Sequence, residues 1–254
     1  GALHLMKRIK SYILINILYS KYFHHKYGDG DLVMQKEWDN LVLLDACRFD
    51  IFNKHSNLDG ELKKMVSRGN YSYEFMERNF CYCNFHDVVY VSANPYSEML
   101  DSELFHSIES VVGEWDSERG TVMPGKVTER VSECIKKYPE KRFIIHYMQP
   151  HLPHLGSVAQ NLELEITGFD KYTGDPHQEE LADGVSMWDA YTDGHLSRNQ
   201  LIKSYIETLH IVEQEVKQLI NLLDGKTVIS ADHGENLGET YFGEQKFGHG
   251  QDTK

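Results

Sequence analysis

The chain lacks an excess of basic residues, a bilayer-length apolar run, many cysteines and any linker, and each shortage removes a class of protein. Lys and Arg number 26 against 39 Asp and Glu, for a formal charge of −13. That balance argues against a general nucleic-acid binder, which would carry a basic stripe. An acidic surface otherwise says little beyond solubility. The four cysteines are Cys47, Cys81, Cys83 and Cys134. Cys81-Tyr82-Cys83 has no second Cys or His pair at zinc-site spacing beside it. Reduced, mostly buried thiols in a cytoplasmic setting are expected, although an even count leaves disulfides open. The 6 prolines and 19 glycines form no linker, and no repeat or composition shift is visible. One large α/β domain is therefore expected.

The N-terminus stands apart. Gly1-Ala-Leu-His-Leu before Met6 looks like the remnant of an expression tag and is set aside. From Lys7 to Lys26 the sequence is basic and amphipathic, interrupted by Asn16. Its apolar part is far shorter than the roughly 20 residues a transmembrane helix needs. Such a segment packs as a first helix on its own domain, or lies on an anionic membrane surface. The expected boundaries are 1–39 for this segment and 40–254 for the catalytic domain. The sequence stops soon after His249, at Lys254, so a truncated or unusually short domain is expected.

Four short apolar runs read as parallel core strands: Leu41–Leu44, Val88–Val91, Phe143–Tyr147 and Thr227–Ser230. Helical spacing of apolar residues spans Glu98 to Val112, Val127 to Lys137, and Arg198 to about Leu223, with Asp224-Gly225 as the stop. Strands alternating with helices predict a three-layer α/β/α sandwich with a mostly parallel central sheet. The stretch from about Ser157 to Asp193 breaks the rhythm and reads as an active-site lid or a surface loop.

Two strands end at acids. Leu41-Val42-Leu43-Leu44 runs into Asp45, and Val228-Ile229-Ser230-Ala231 runs into Asp232-His233-Gly234-Glu235. Open α/β sheets build their sites beyond the carboxyl ends of their strands. Two carboxylates and an imidazole delivered there suit a divalent cation, namely Mn, Zn, Mg or Ca. Arg48 and Asn94 fall near the same edge. Arg48 either clamps an anionic substrate or pairs with Asp50. His151 and His154 lie just beyond another strand end, whereas His146 sits inside that strand and reads as a core histidine.

Taken in order, these motifs resemble the alkaline phosphatase superfamily, in its branch of sulfatase-like hydrolases and transferases. Leu44-Asp45-Ala-Cys-Arg48 is similar to that family's first metal-binding aspartate, and Asp232-His233-Gly-Glu to its second metal-binding pair. Phe247-Gly-His249-Gly resembles its later histidine, and His146-Tyr-Met-Gln-Pro-His151-Leu-Pro-His154 its central His-x-Pro motif. The resemblance spans about Asn40 to His249. It implies a nucleophile on the metal at a helix N-terminus, where Ser72, read as an N-cap, is the candidate and Ser67 the weaker rival. It implies one firm cation held by Asp45, Ser72, Asp232 and His233. It leaves His151, His154, His249, Arg48 and Asn94 to bind substrate or a second ion.

The Cys-x-Pro-x-Arg signature of true sulfatases is missing, and Cys47-Arg48-Phe49-Asp50 lacks its proline. The expected activity is metal-dependent hydrolysis of a phosphate ester through a covalent serine intermediate. The alternatives are transfer of a phosphoethanolamine- or phosphoglycerol-type group to a glycan or lipid, and sulfate-ester hydrolysis. The expected partner is an anionic ester, free or glycan- or lipid-linked, with no nucleic acid and no expectation about oligomeric state.

Overall fold

A computed structural model describes residues 20–162, 169–171, 180–181, 186–241 and 244–249. Residues 1–19, and with them the tag remnant and most of the amphipathic segment, lie outside the described residues. So do residues 163–168, 172–179 and 182–185 of the 157–193 stretch read as a lid.

Five strands form one parallel sheet: β1 (Asn40–Leu44), β2 (Phe85–Ser92), β3 (Phe105–Ser110), β4 (Arg142–Tyr147) and β5 (Thr227–Ser230). Their order across the sheet is β3-β2-β4-β1-β5, and every pairing is parallel. β1 sits between β4 and β5, so its apolar residues alternate between two buried faces. Val42 and Leu44, with Val89, Val91, Phe143 and Ile145, pack toward helices α3 (Pro124–Lys137) and α4 (Arg198–Ile220). Leu41 and Leu43, with Val88, Tyr90 and Ile144, pack toward α2 (Ser72–Phe80) and Trp38. A helix layer on each side of a central sheet gives the expected α/β/α sandwich. Beyond β1 lies a short helix, α1 (Phe49–His55). Beyond β5 comes an antiparallel hairpin of β6 (Asn236–Tyr241) and β7 (Glu244–Gly248).

The four sequence-read strands all form. The helix expected over Glu98–Val112 does not. Pro95–Met99 makes a single 3-10 turn, and Phe105–Ser110 becomes the edge strand β3. Apolar residues at 100, 104, 105, 108, 111 and 112 mimic a helical repeat, but pairing with β2 decides the conformation. Tertiary context overrides local spacing here. The long helix stops at Ile220, with Asn221 as its C-cap. Gly225 serves instead in the turn entering β5, at φ 83°. A Cβ there would lie 2.4 Å from the Asp39 carboxylate, which accepts a hydrogen bond from Lys226 N. Ser72 is the first helical residue of α2, and Tyr71 is the N-cap.

Candidate metal centre

The register places the site. Leu44 pairs with Tyr147, and Leu43 pairs with both His146 and Ser230, while Ser92 is level with His146. Asp45 and Asp232 therefore emerge at one height above neighbouring strands. Asp45 is held by its backbone, with Asp45 N donating to Tyr147 O at 3.2 Å and Asp45 O accepting from His151 N at 3.1 Å. The next residue, Ala46, adopts φ 57°, a left-handed conformation that costs a non-glycine residue about 1–2 kcal/mol. That turn aims Ala46 N at Asp232 Oδ1, 3.0 Å away. Tyr205 of α4 clasps the turn from behind, donating to Ala46 O at 2.7 Å and accepting from Arg48 N at 2.9 Å.

Four buried side chains converge in front of it. Ser72 Oγ lies 3.3 Å from Asp45 Oδ2 and 3.4 Å from His233 Nε2. His233 Nε2 lies 3.4 Å from Asp45 Oδ1 and 3.4 Å from Asp232 Oδ2. His233 Nδ1 donates to Gly234 O at 2.8 Å, which fixes the tautomer and leaves Nε2 free to act as a ligand. Asn94 Nδ2 donates to Asp45 Oδ2 at 2.7 Å and orients that carboxylate. His146 bonds through Nδ1 to Tyr90 OH at 2.8 Å, while its Nε2 stands 3.6 Å from Asp232 Oδ2. It is a buried core histidine, as read from sequence, but it also borders the centre. The ligand atoms of Asp45, His146 and Asp232 lie within 4.8 Å of one another.

A second cluster adjoins the first. His151 Nε2 and His249 Nε2 are 2.9 Å apart, and Glu235 Oε2 is 3.9 Å from the former and 4.0 Å from the latter. The His233 and His249 rings are 4.4 Å apart between centroids, so the two clusters share a wall. Sequence reasoning quoted Glu235 only as the tail of Asp-His-Gly-Glu. Its role needs the fold, because β6 begins one residue later and turns its carboxylate inward, where it is 2% exposed.

Three sequence candidates take other positions. His154 Nδ1 bonds to Ser204 Oγ of α4 at 3.1 Å, and its ring packs on Trp188 and Tyr205. It belongs to neither cluster. Arg48 realises its second reading, gripping Asp50 through Nε and Nη2 at 2.9 and 2.7 Å. Its Nη1 reaches Glu239 Oε1 at 2.6 Å, so the guanidinium is already engaged. Ser67 Oγ donates to the backbone oxygen of Asp232 and braces the strand end.

The residues fit a divalent cation on their own chemistry. Among the described residues, Asp45 Oδ1, His146 Nε2, Asp232 Oδ2 and Glu235 Oε1 are buried polar atoms without a hydrogen-bond partner. A buried atom of this kind costs about 1–3 kcal/mol, more if it is charged, and the first three belong to one group of candidate ligands. Electrostatics agree. Despite burial, Asp232 and Asp45 push the His233 imidazole up to about 10, as expected of a ring surrounded by anions with no cation present. Burial pushes the Glu235 carboxyl up to about 7. Burial, together with His151 and His233, pushes His249 down to about 3, which keeps its ring neutral and able to act as a ligand.

A parallel α/β/α sheet with carboxylates and histidines above its strand ends defines the alkaline phosphatase type of hydrolase and transferase. The model of the sulfatase family matches residues 53–254, and the chain belongs to that family, a member of the alkaline phosphatase superfamily. Its members are hydrolases and transferases that generally bind a divalent metal. The match includes Ser72, Asp232, His233 and His249 and begins beyond Asp45. No curated protein and no solved structure matches the chain. No described helix is long and apolar enough to cross a membrane.

Proposed function

We propose that the chain is a metal-dependent hydrolase of phosphate esters that works through a covalent intermediate on Ser72. One observation carries the reading: a buried hydroxyl at a helix N-terminus stands 3.3 Å from Asp45 and 3.4 Å from His233. Asp45, Ser72, Asp232 and His233 would hold the principal cation, with Mn, Zn, Mg and Ca all compatible with oxygen and imidazole donors. A cation there supplies charge neutralisation and a lowered pKa for the serine hydroxyl.

Around it, this chain's own residues do the rest. Asn94 holds the Asp45 carboxylate in one orientation. Asp45 Oδ2, 3.3 Å from Ser72 Oγ, takes up the hydroxyl proton as Oγ attacks phosphorus, and the bond to the ester oxygen breaks as the Oγ–P bond forms. The backbone N–H groups of the first turn of α2 face the phosphoryl oxygens. His151, Glu235 and His249 line the next position, where they hold the phosphate or a second cation. Where no second cation is held there, Glu235, whose carboxyl burial raises to about 7, delivers a proton to the departing alkoxide. Water then cleaves the phosphoserine.

Ser72→Ala tests this directly. Turnover of an aryl phosphate should fall by at least about 10³-fold while metal content after purification stays the same. Activity that survives in Ser72→Ala and is lost in Ser67→Ala would move the role to Ser67.

Two features favour phosphate over sulfate. Cys47 is buried in the core against Tyr205, and burial pushes its thiol far up. Ser72-Tyr73-Glu74-Phe75-Met76 also lacks the proline and arginine of the formylglycine signature. A transferase using a phosphoethanolamine or phosphoglycerol donor is the second reading, favoured by the basic N-terminal segment. Product analysis with and without a glycan acceptor separates the two.

A further inference from the structure

A place in the core explains only half of His146. It lies on β4 with Leu43 and Ser92 level beside it. Alternation puts it on the face of Ile144, two residues earlier, which packs with Leu43 and Tyr90 toward α2. The ring is fully buried and stacks on Tyr90 with 6.2 Å between centroids. Its Nδ1 is accounted for by Tyr90 OH at 2.8 Å. Its Nε2 has no hydrogen-bond partner, and neither has Asp232 Oδ2, which lies 3.6 Å away. That gap is too long for a hydrogen bond. Ligand atoms around one zinc-like ion, with bonds of about 2.0–2.1 Å, stand roughly 3–4 Å apart. One shared ion satisfies both atoms where a hydrogen bond does not, and Asp45 Oδ1 is a third buried atom without a partner.

We infer that His146 is a ligand of the principal cation and that Tyr90 is the positioning residue that fixes its tautomer. The inference rests on the metal centre of the proposed function and adds a donor to it. The Tyr90 hydroxyl has the Ser92 hydroxyl as a second hydrogen-bond neighbour. Ser92 Oγ in turn donates to Asn94 O at 3.4 Å. Tyr90 therefore has an outlet for its own proton and accepts from His146 Nδ1–H. That leaves the Nε2 lone pair for an ion, as outer partners do for ligand histidines generally. A second imidazole beside His233 also decides which ion the site prefers. Imidazole nitrogen suits zinc and its neighbours, whereas magnesium and calcium take oxygen. The expected order is zinc above manganese, with magnesium and calcium well below both.

Metal binding by the chelator-treated full chain tests this without reference to turnover. Competition with a chromophoric chelator gives affinities for zinc, manganese and magnesium. All proteins carry His249→Ala, so that zinc at the second cluster is not counted. Tyr90→Phe should lower zinc affinity by about 10–100-fold, the usual cost of losing an outer partner, and His146→Phe should lower it further. His146→Gln offers an amide oxygen in place of Nε2, so it should keep magnesium binding while losing much of the preference for zinc. Zinc-edge X-ray absorption at one equivalent should count two imidazoles with His146 present and one in His146→Phe. If His146→Phe does not fold, Tyr90→Phe and the imidazole count with His146 present decide the matter. Unchanged zinc affinity in His146→Phe, or a single imidazole with His146 present, overturns the inference and leaves the site of Asp45, Asp232 and His233 standing. A chain that holds no divalent ion overturns it together with the proposed function. Two imidazoles on zinc without turnover of phosphate esters uphold it and reject only the proposed reaction.

Discussion

Tyr205→Phe isolates the clasp that shapes the metal centre. The ring stays, so its packing in the core and against His154 is retained, and only the hydroxyl is lost. That hydroxyl serves two buried backbone groups, Ala46 O at 2.7 Å and Arg48 N at 2.9 Å. Each stranded group costs about 1–3 kcal/mol. Partial relaxation of the turn brings the expected total to about 2–4 kcal/mol. In a chain of this size that corresponds to a fall of roughly 5–15 °C in melting temperature. The damage should also reach the site, because the turn it releases carries the left-handed Ala46 and its bond to Asp232. Loss of kcat should therefore exceed any rise in KM, since a positioned ligand has moved and no substrate contact is lost. Urea unfolding and steady-state kinetics with an aryl phosphate measure both effects. A stability loss under about 0.5 kcal/mol, or full kcat at reduced stability, would refute the clasp.

Gly69→Ala should destabilise the chain by about 3 kcal/mol in urea titrations, because the added Cβ would lie 2.3 Å from Phe75 N and 2.5 Å from its Cα, where backbone cannot yield. In chelator-treated protein the Glu235 carboxyl titrates near 7 when folded, against its ordinary 4.5. The raised folded value means stability is fully present below 4.5 and lost as pH rises through 7, by up to roughly 3 kcal/mol. Glu235→Gln should remove that loss, and equal urea midpoints for parent and variant above about pH 8 would contradict it. Cys47→Ala should cost about 1 kcal/mol of stability and retain activity, with aryl phosphate turned over faster than aryl sulfate. Sulfate turnover that is faster and vanishes in the alanine variant would identify a formylglycine-type sulfatase.

How legible each strand was depended on whether it reads as a compact apolar run with a clear end. β1 and β4 have helices on both faces, so they appear as continuous apolar runs with an unmistakable end. β3 is an edge strand with one buried residue, one exposed and four intermediate ones, and its sparse apolar positions fell into a helical spacing. The same holds for the site. Asp45, Asp232 and His233 are announced by the strands that deliver them. Ser72 follows a loop that runs from residue 56 to 71 without regular structure, so only its helix gave it away. The place of Glu235 depends on β6 turning inward and that of His154 on a bond to α4, and neither contact leaves a trace in local sequence.

The Arg48 guanidinium is spent on protein groups around the site. It ties Asp50 at the start of α1 to Glu239 in β6, and its Nη1 also reaches Glu235 O at 3.2 Å. Arg198 of α4 joins from the other side, at 3.1 Å from both Glu239 Oε1 and Leu237 O. The hairpin that supplies Glu235 at its entrance and His249 at its exit is thus fastened to the same turn that presents Asp45. A planar, forked cation suits this task, because it meets several oxygens in fixed directions. Metal ligands must be placed to within a few tenths of an ångström. The two clusters share the wall formed by His233 and His249, 4.4 Å apart, so a hairpin that drifted would disturb both. On this geometry Arg48 holds the second cluster in register with the first, and in the proposed reaction its contribution is positional.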